Sequence, residues 1–197
     1  MKYDSNKHHR RSIRLKGYDY SQAGAYFITI CTHNRDYLFG DVVNRQMVLN
    51  EWGEIIKIEW VKTSQLRANV KLDAFVIMPN HIHGIIVLNN MDDCRDTARR
   101  VPTTAKPHQT EQFGKPVSGS LPTIVRSYKS AVTKRINDLR QTPGAPVRRR
   151  NYYEPIIRNE NELSKIREYI LNNPCHLSYH ISGFVVFQFR AVHAVGD

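Results

Sequence analysis

Apolar residues recur along this chain with a period near two in some stretches and near three to four in others, and that alternation orders its elements. Gly24-Ala25-Tyr26-Phe27-Ile28-Thr29-Ile30-Cys31-Thr32, rich in β-branched and aromatic residues, predicts a strand. Asn50 then stands where a cap belongs, ahead of Trp52, Ile55, Ile56 and Trp60 at helical spacing. Two apolar runs follow, Leu72 to Met78 and His81 to Leu88, separated by Pro79-Asn80. Pro presets the turn angle and Asn tolerates turn geometry, so the pair predicts a β-hairpin. Residues 89–120 change to Asn, Asp, Thr, Pro, Lys, Gly and Ser without periodicity, which is expected of an insertion or flexible loop.

A second helix is expected from near Ser120. Leu121, Ile124, Tyr128, Val132, Ile136 and Leu139 share one face, and Arg126, Lys129, Lys134 and Arg140 lie outside that stripe. Residues 141–146, with two prolines and a glycine, break the chain. Arg148-Arg149-Arg150 leads into a short extended piece, Asn151 to Ile157. Asn159 and Glu162 form a capping-box pattern for a third helix, with Leu163, Ile166 and Ile170 inward and a stop at Pro174. The tail is strand-like around Phe184 to Phe187. The order strand, helix, hairpin, helix, helix and tail predicts an α+β fold with an antiparallel sheet, one domain over 1–197 carrying a basic leader (1–16) and the insertion.

Charge narrows the partner. Among 197 residues, 29 Lys and Arg face 18 Asp and Glu, a formal charge of +11. A surplus of that size suggests a polyanion, and the interleaved aromatics favour nucleic acid over a membrane surface. A merely solvated basic surface is the plain alternative. Cys31, Cys94 and Cys175 are odd in number, widely spaced and without a CxxC pair, which fits a reducing compartment. Residues 1–15 carry no apolar stretch of the signal-peptide kind, and no run is long enough to span a bilayer. The expected location is the cytoplasm.

Candidate chemistry begins with His81 and His83. Residues two apart on a strand share a face, about 7 Å apart along it, so both imidazoles project together. Imidazole is a common ligand for divalent metals, although two such rings on a strand face are often just hydrogen-bonded surface or core residues. The apolar neighbours Ile82, Ile85, Ile86, Val87 and Leu88 make the strand central, and polar rings buried there call for partners. On the third helix, Tyr169 and Asn173 stand one turn apart at the border of the apolar stripe, where a phenol and a carboxamide could face a polar site. Two His and one oxygen would leave open positions for water or phosphate. An ordinary amphipathic Tyr and a terminal Asn before Pro174 is the competing reading. Tyr26 and Tyr128 are expected in the core. Tyr152 and Tyr153, beside the Arg triplet, either stack on bases or pack.

These segments resemble a family. Met78-Pro79-Asn80-His81-Ile82-His83 looks like the metal motif of the HUH endonucleases, in which U is a hydrophobic residue, and Tyr169 to Pro174 looks like their nucleophile helix. With Leu15 to Tyr20, Tyr26 to Thr32 and Asn151 to Glu154, the chain most closely resembles the single-tyrosine transposases associated with repetitive extragenic palindromes. The likeness runs from about Leu15 to Pro174, excluding the insertion. It implies a ferredoxin-like sheet with helices packed on one face. It implies that His81, His83 and Asn173 hold Mg²⁺ or Mn²⁺, and that Tyr169 attacks single-stranded or hairpin DNA to leave a 5′-phosphotyrosine link and a free 3′-hydroxyl. Arg148, Arg149, Arg150, Tyr152, Arg14 and Lys16 are the candidate DNA contacts, and a homodimer on the nucleoid of a prokaryote is compatible with the family. Where relatives carry Trp-Gln before the Asn-Tyr-Tyr-Glu stretch, this chain has Val147-Arg148-Arg149. Two other readings compete: a replication or mobilisation initiator, which usually brings further domains, and a domesticated protein that binds palindromes without cutting them.

Overall fold

The three segments with the strongest strand pattern become the three long strands of the molecule. The computed structural model describes residues 15, 17–44, 46–90, 117–176 and 186–187, with 173–176 and 186–187 described by backbone only. In chain order the elements are β1 (Gly24–Cys31), β2 (Gly40–Val43), β3 (Gln46–Leu49), α1 (Glu51–Gln65), β4 (Val70–Met78), β5 (His81–Leu88), α2 (Leu121–Leu139), β6 (Ile156–Ile157), α3 (Glu160–His176) and β7 (Val186–Phe187). The main sheet is antiparallel in the order β6-β1-β5-β4-β7, so the histidine-bearing strand is central, as its apolar sequence requires. β2 and β3 form a separate two-stranded hairpin that the sequence reading did not anticipate.

Local chemistry fixes the ends of these elements. Asn50 Oδ1 accepts from the backbone N–H groups of Trp52 and Gly53, both at 3.0 Å, satisfying two donors that the first turn of α1 leaves open. Asn159 Oδ1 accepts from the Glu162 N–H at 2.8 Å, while the Glu162 carboxylate reaches back to the Arg158 N–H at 2.8 Å. α3 does not stop at Pro174. It runs to His176, because a proline in the last turn removes one hydrogen bond without forbidding helical angles to the residues that follow. The β4–β5 hairpin turns at Pro79-Asn80, and the Pro79 carbonyl accepts from the N–H groups of Leu38 and Phe39. The loop after β1 is thereby folded over the turn.

The sheet has two buried faces. On one, Tyr26, Ile28, Phe75, Ile77, Ile82 and Ile86 pack against Ile56 and Trp60 of α1 and Ile124, Val132 and Ile136 of α2. Gly84 lets α1 approach this closely: a Cβ there would stand 2.3 Å from the Trp60 ring. Glu59 of α1 accepts from Arg135 of α2 at 2.6 Å and joins the two helices. On the other face, Ala74, Val76, Met78 and Ile85 pack with Ile157 and with Ile170 of α3, which is fully buried. α1 and α2 share a face as the resemblance implied; α3 covers the opposite one. Amphipathicity marks which side of α3 is buried and says nothing of which sheet face receives it.

The leader 1–14 and residues 91–116 of the insertion lie outside the described residues. Residues 117–120 make a turn into α2, whose N-cap is Ser120. Tyr26 and Tyr128 are in the core as expected. Lys129 departs from its reading as a residue outside the apolar stripe. It is 3% exposed, with Nζ donating to the carbonyl oxygens of Arg149, Arg150 and Asn151 at 3.0 to 3.4 Å. Buried ammonium is tolerated only with such partners. Burial and then Arg148 lower its pKa to about 7, against the opposing pull of Glu154 and Cys31.

Candidate active site

The strand register decides where the two imidazoles point. His81 pairs with Cys31 of β1 and Met78 of β4, and His83 pairs with Thr29 and Val76. With Ile82, Ile86 and Leu88 committed to the α1–α2 face, His81 and His83 must occupy the face covered by α3. Their ring centroids are 4.7 Å apart.

Each ring is held by its Nδ1. His81 Nδ1 donates to Asn80 Oδ1 at 2.7 Å, since an amide oxygen can only accept, and the Asn80 amide nitrogen donates to the Arg35 carbonyl at 3.3 Å. His83 Nδ1 lies 2.7 Å from Thr29 Oγ1, the hydroxyl directly across the strand pair. With the proton on Nδ1, Nε2 of His81 keeps its lone pair; the Thr29 hydroxyl, which can donate or accept, holds the His83 ring in place. Burial, and then the neighbouring charge of Arg35, lowers the His81 pKa to about 4; burial, and then His81, lowers that of His83 to about 3. Both imidazoles are therefore neutral at ordinary pH, the state a metal ligand needs.

α3 brings Tyr169 to this pair. Its hydroxyl is 3.5 Å from His83 Nε2, and the two rings meet edge to face with centroids 5.4 Å apart. Phe27 of β1 stacks on His83 at 5.2 Å and meets Tyr169 edge-on at 6.1 Å, forming an apolar wall behind both. Tyr169 is 45% exposed. Two contacts set its height above the sheet. Leu163, Ile166 and Ile170 bury the inner stripe of α3. Two residues before Tyr169, the Arg167 guanidinium forks onto Asp73, Nε to Oδ1 at 3.0 Å and Nη2 to Oδ2 at 2.6 Å. Asp73 sits where the β4–β5 register shifts, and such an irregularity re-aims a side chain out of the plain alternation. Burial opposes the Asp73 charge, but the Arg167 fork and the Ala74 N–H outweigh it and hold the carboxyl below its ordinary range.

The remaining candidates separate. Asn173 lies one turn beyond Tyr169 on α3, and its side chain is outside the described residues. Among the described residues, no group of three or more His, Cys, Asp or Glu could hold a metal. Two neutral imidazoles side by side on one sheet face fit a divalent cation completed by oxygen ligands. Arg148 is half-buried, its Nε donating to the Lys129 carbonyl at 3.0 Å, so this arginine is turned inward. Tyr152 packs against the main core with the Lys129 ammonium 5.1 Å from its ring centroid. Arg149 and Arg150 are exposed; Arg14 and Lys16 lie outside the described residues. Thr29 and Asn80 orient the histidines, and neither was singled out for that task. The signal was the register itself, since Thr29 faces His83 only once β1 is paired to β5.

An uncharacterised protein of Haemophilus influenzae is 42% identical over 173 residues, covering 88% of this chain and 92% of that protein. The chain belongs to the same family as that protein. No family model matches it. Among solved structures, a REP-associated tyrosine transposase bound to a REP hairpin superposes with a TM-score of 0.52 at 16% identity, over 86% of this chain and 76% of that one. The chain therefore shares the α+β fold of that transposase, with an antiparallel sheet and three α-helices among its described residues.

Proposed function

We propose that this chain is a divalent-metal-dependent DNA strand transferase of the HUH transposase type, acting on single-stranded DNA beside a hairpin with Tyr169 as nucleophile. The observation that carries the reading is the 3.5 Å approach of the Tyr169 hydroxyl to His83 Nε2. A strand motif and a helix residue 86 positions apart form one cluster. His81, His83 and Asn173 are the proposed ligands of Mg²⁺ or Mn²⁺. Such a cation supplies charge neutralisation and polarisation at the scissile phosphate. The approach lies within one chain.

In the proposed step the Tyr169 oxygen attacks phosphorus, forming a phosphotyrosine bond as the P–O3′ bond breaks. The phenolic proton passes to solvent water, and the departing 3′-oxygen takes a proton from solvent, so the step is proton-neutral overall. A second 3′-hydroxyl can reverse the step on another strand, since one phosphodiester is exchanged for another. Phe27 packs edge-on against the Tyr169 ring, and the uncharged His83 adds no positive charge beside the hydroxyl. Support for a hairpin substrate is the DNA bound by the structural neighbour. No described helix is long and apolar enough to cross a membrane; the proposed setting is the cytoplasm, on the nucleoid. The test is an end-labelled oligonucleotide carrying a hairpin and single-stranded flanks, incubated with Mg²⁺ or Mn²⁺. Wild-type chain should yield a denaturation-resistant protein–DNA adduct. Tyr169→Phe should yield none while still binding DNA, and an adduct from that variant would remove Tyr169 from the role.

A further inference from the structure

A cationic cleft of about 550 Å³ opens beside the His–Tyr cluster, lined by His33, Asn34, Arg35, Arg149 and Arg150. The fold builds it from two segments folded against the hairpin turn. The loop after β1 is tied to the turn by the hydrogen bonds of Leu38 and Phe39 to Pro79. The arginine segment is tied to the end of β1, with His33 N donating to the Val147 carbonyl at 3.1 Å and Arg149 N to the Cys31 carbonyl at 2.9 Å. Lys129 draws the carbonyl oxygens of Arg149, Arg150 and Asn151 inward, so these acceptors are engaged away from the cleft. No carboxylate is among the lining residues. The backbone of Asn34 and Arg35 is left-handed, with φ of 53° and 62°, a conformation non-glycine residues rarely take in succession. Asn80 spans the distance to the active site: one end of its amide holds His81, the other the Arg35 carbonyl.

We propose that this cleft binds an unpaired nucleotide of the DNA strand, its phosphate on Arg35 and Arg149, next to the strand position that reaches Tyr169. The identity of the reacting position rests on the strand-transferase reading; the cleft's choice of an unpaired strand does not. Guanidinium forks match phosphate oxygens, and the planar groups of His33, Asn34 and Arg150 can stack on or hydrogen-bond to a base that no partner strand occupies. A cleft of about 550 Å³ has room for one nucleotide.

The test is fluorescence anisotropy of the full chain with a short mixed-sequence single-stranded oligonucleotide and with the same sequence as blunt duplex, across a salt series. Wild-type chain should prefer the single strand. Arg35→Gln with Arg149→Gln should weaken single-strand binding on the order of tenfold and flatten its salt slope by about 1.4, since each lost phosphate contact removes about 0.7. The loss on duplex should be several-fold smaller. Arg149→Gln alone should remove about half of that slope change, which keeps the reading intact if the double variant folds poorly. Equal losses on both DNAs, no loss, or no wild-type preference would overturn the proposal. Adduct formation is scored separately: selective loss without any wild-type adduct sinks the Tyr169 reading alone, and adducts without selective loss sink the cleft alone.

Discussion

Thr29 shows what a single hydroxyl does in this site. It stands across the strand pair from His83, 2.7 Å from Nδ1, and so decides which ring nitrogen faces Tyr169. Partners of this kind outside the ligand set typically carry about 10- to 100-fold of metal affinity. Thr29→Val keeps the shape and removes the partner. It should weaken Mn²⁺ binding within that range by calorimetric titration, and unchanged affinity would show that the ring is oriented by other contacts. The histidines also link stability to pH. Their folded pKa values, about 3 and about 4, lie below the ordinary 6.5, so the unfolded chain binds protons that the folded one refuses. Their contribution is full above about pH 6.5 and is lost as pH falls toward 4 and then 3. Denaturant unfolding of metal-free protein between pH 6.5 and 5 should show wild type losing stability faster than His83→Gln. Parallel curves would mean the ring is not buried neutral.

At the scale of elements, α3 is held by an apolar stripe and one ionic latch. Arg167, two residues before Tyr169, forms with Asp73 the ion pair that ties the helix to β4. Arg167 is partly exposed, so its worth to overall stability is small. Its effect should fall on position, where a displacement of about 1 Å costs on the order of 100-fold in rate. Arg167→Ala should slow adduct formation about tenfold or more at saturating DNA, with DNA affinity little changed and rate regained in the Arg167→Asp, Asp73→Arg exchange. A rate equal to wild type in Arg167→Ala would dismiss the latch. On the opposite face, Gly84→Ala places a carbon 2.3 Å from Trp60. Such overpacking costs about 1–3 kcal/mol, read as a lower denaturant midpoint.

Over the whole molecule, what was legible in the sequence was what local chemistry controls. The Asn50 and Asn159 caps, the Pro79-Asn80 turn and the central apolar strand each depend on residues within one element. The face taken by α3, the register shift that turns Asp73 toward Arg167, and the burial of Lys129 depend on partners 94 and about 20 residues away, and no local pattern encodes them. The site divides the same way. His81 and His83 were visible as a pair, and Tyr169 as a phenol at a helix border; their meeting is a property of packing. His33 and Arg35 were missed because a short turn with one histidine and one arginine carries no periodic signal. Sheet, latch and cleft together put a nucleophile candidate, two neutral imidazoles and a cationic hollow at one end of a single chain. Mixing Tyr169→Phe with His83→Ala should therefore restore no adduct formation, whereas restoration would mean that two chains share the site.

The central claim is that Tyr169 forms a covalent bond to DNA, and peptide mapping of the reacted chain tests it most directly. After incubation with the hairpin oligonucleotide and Mn²⁺, followed by nuclease and protease digestion, a nucleotide mass should appear on the Tyr169 peptide. It should be absent when metal is withheld. A nucleotide on another residue, or none under conditions where the DNA is bound and cut, would contradict the account.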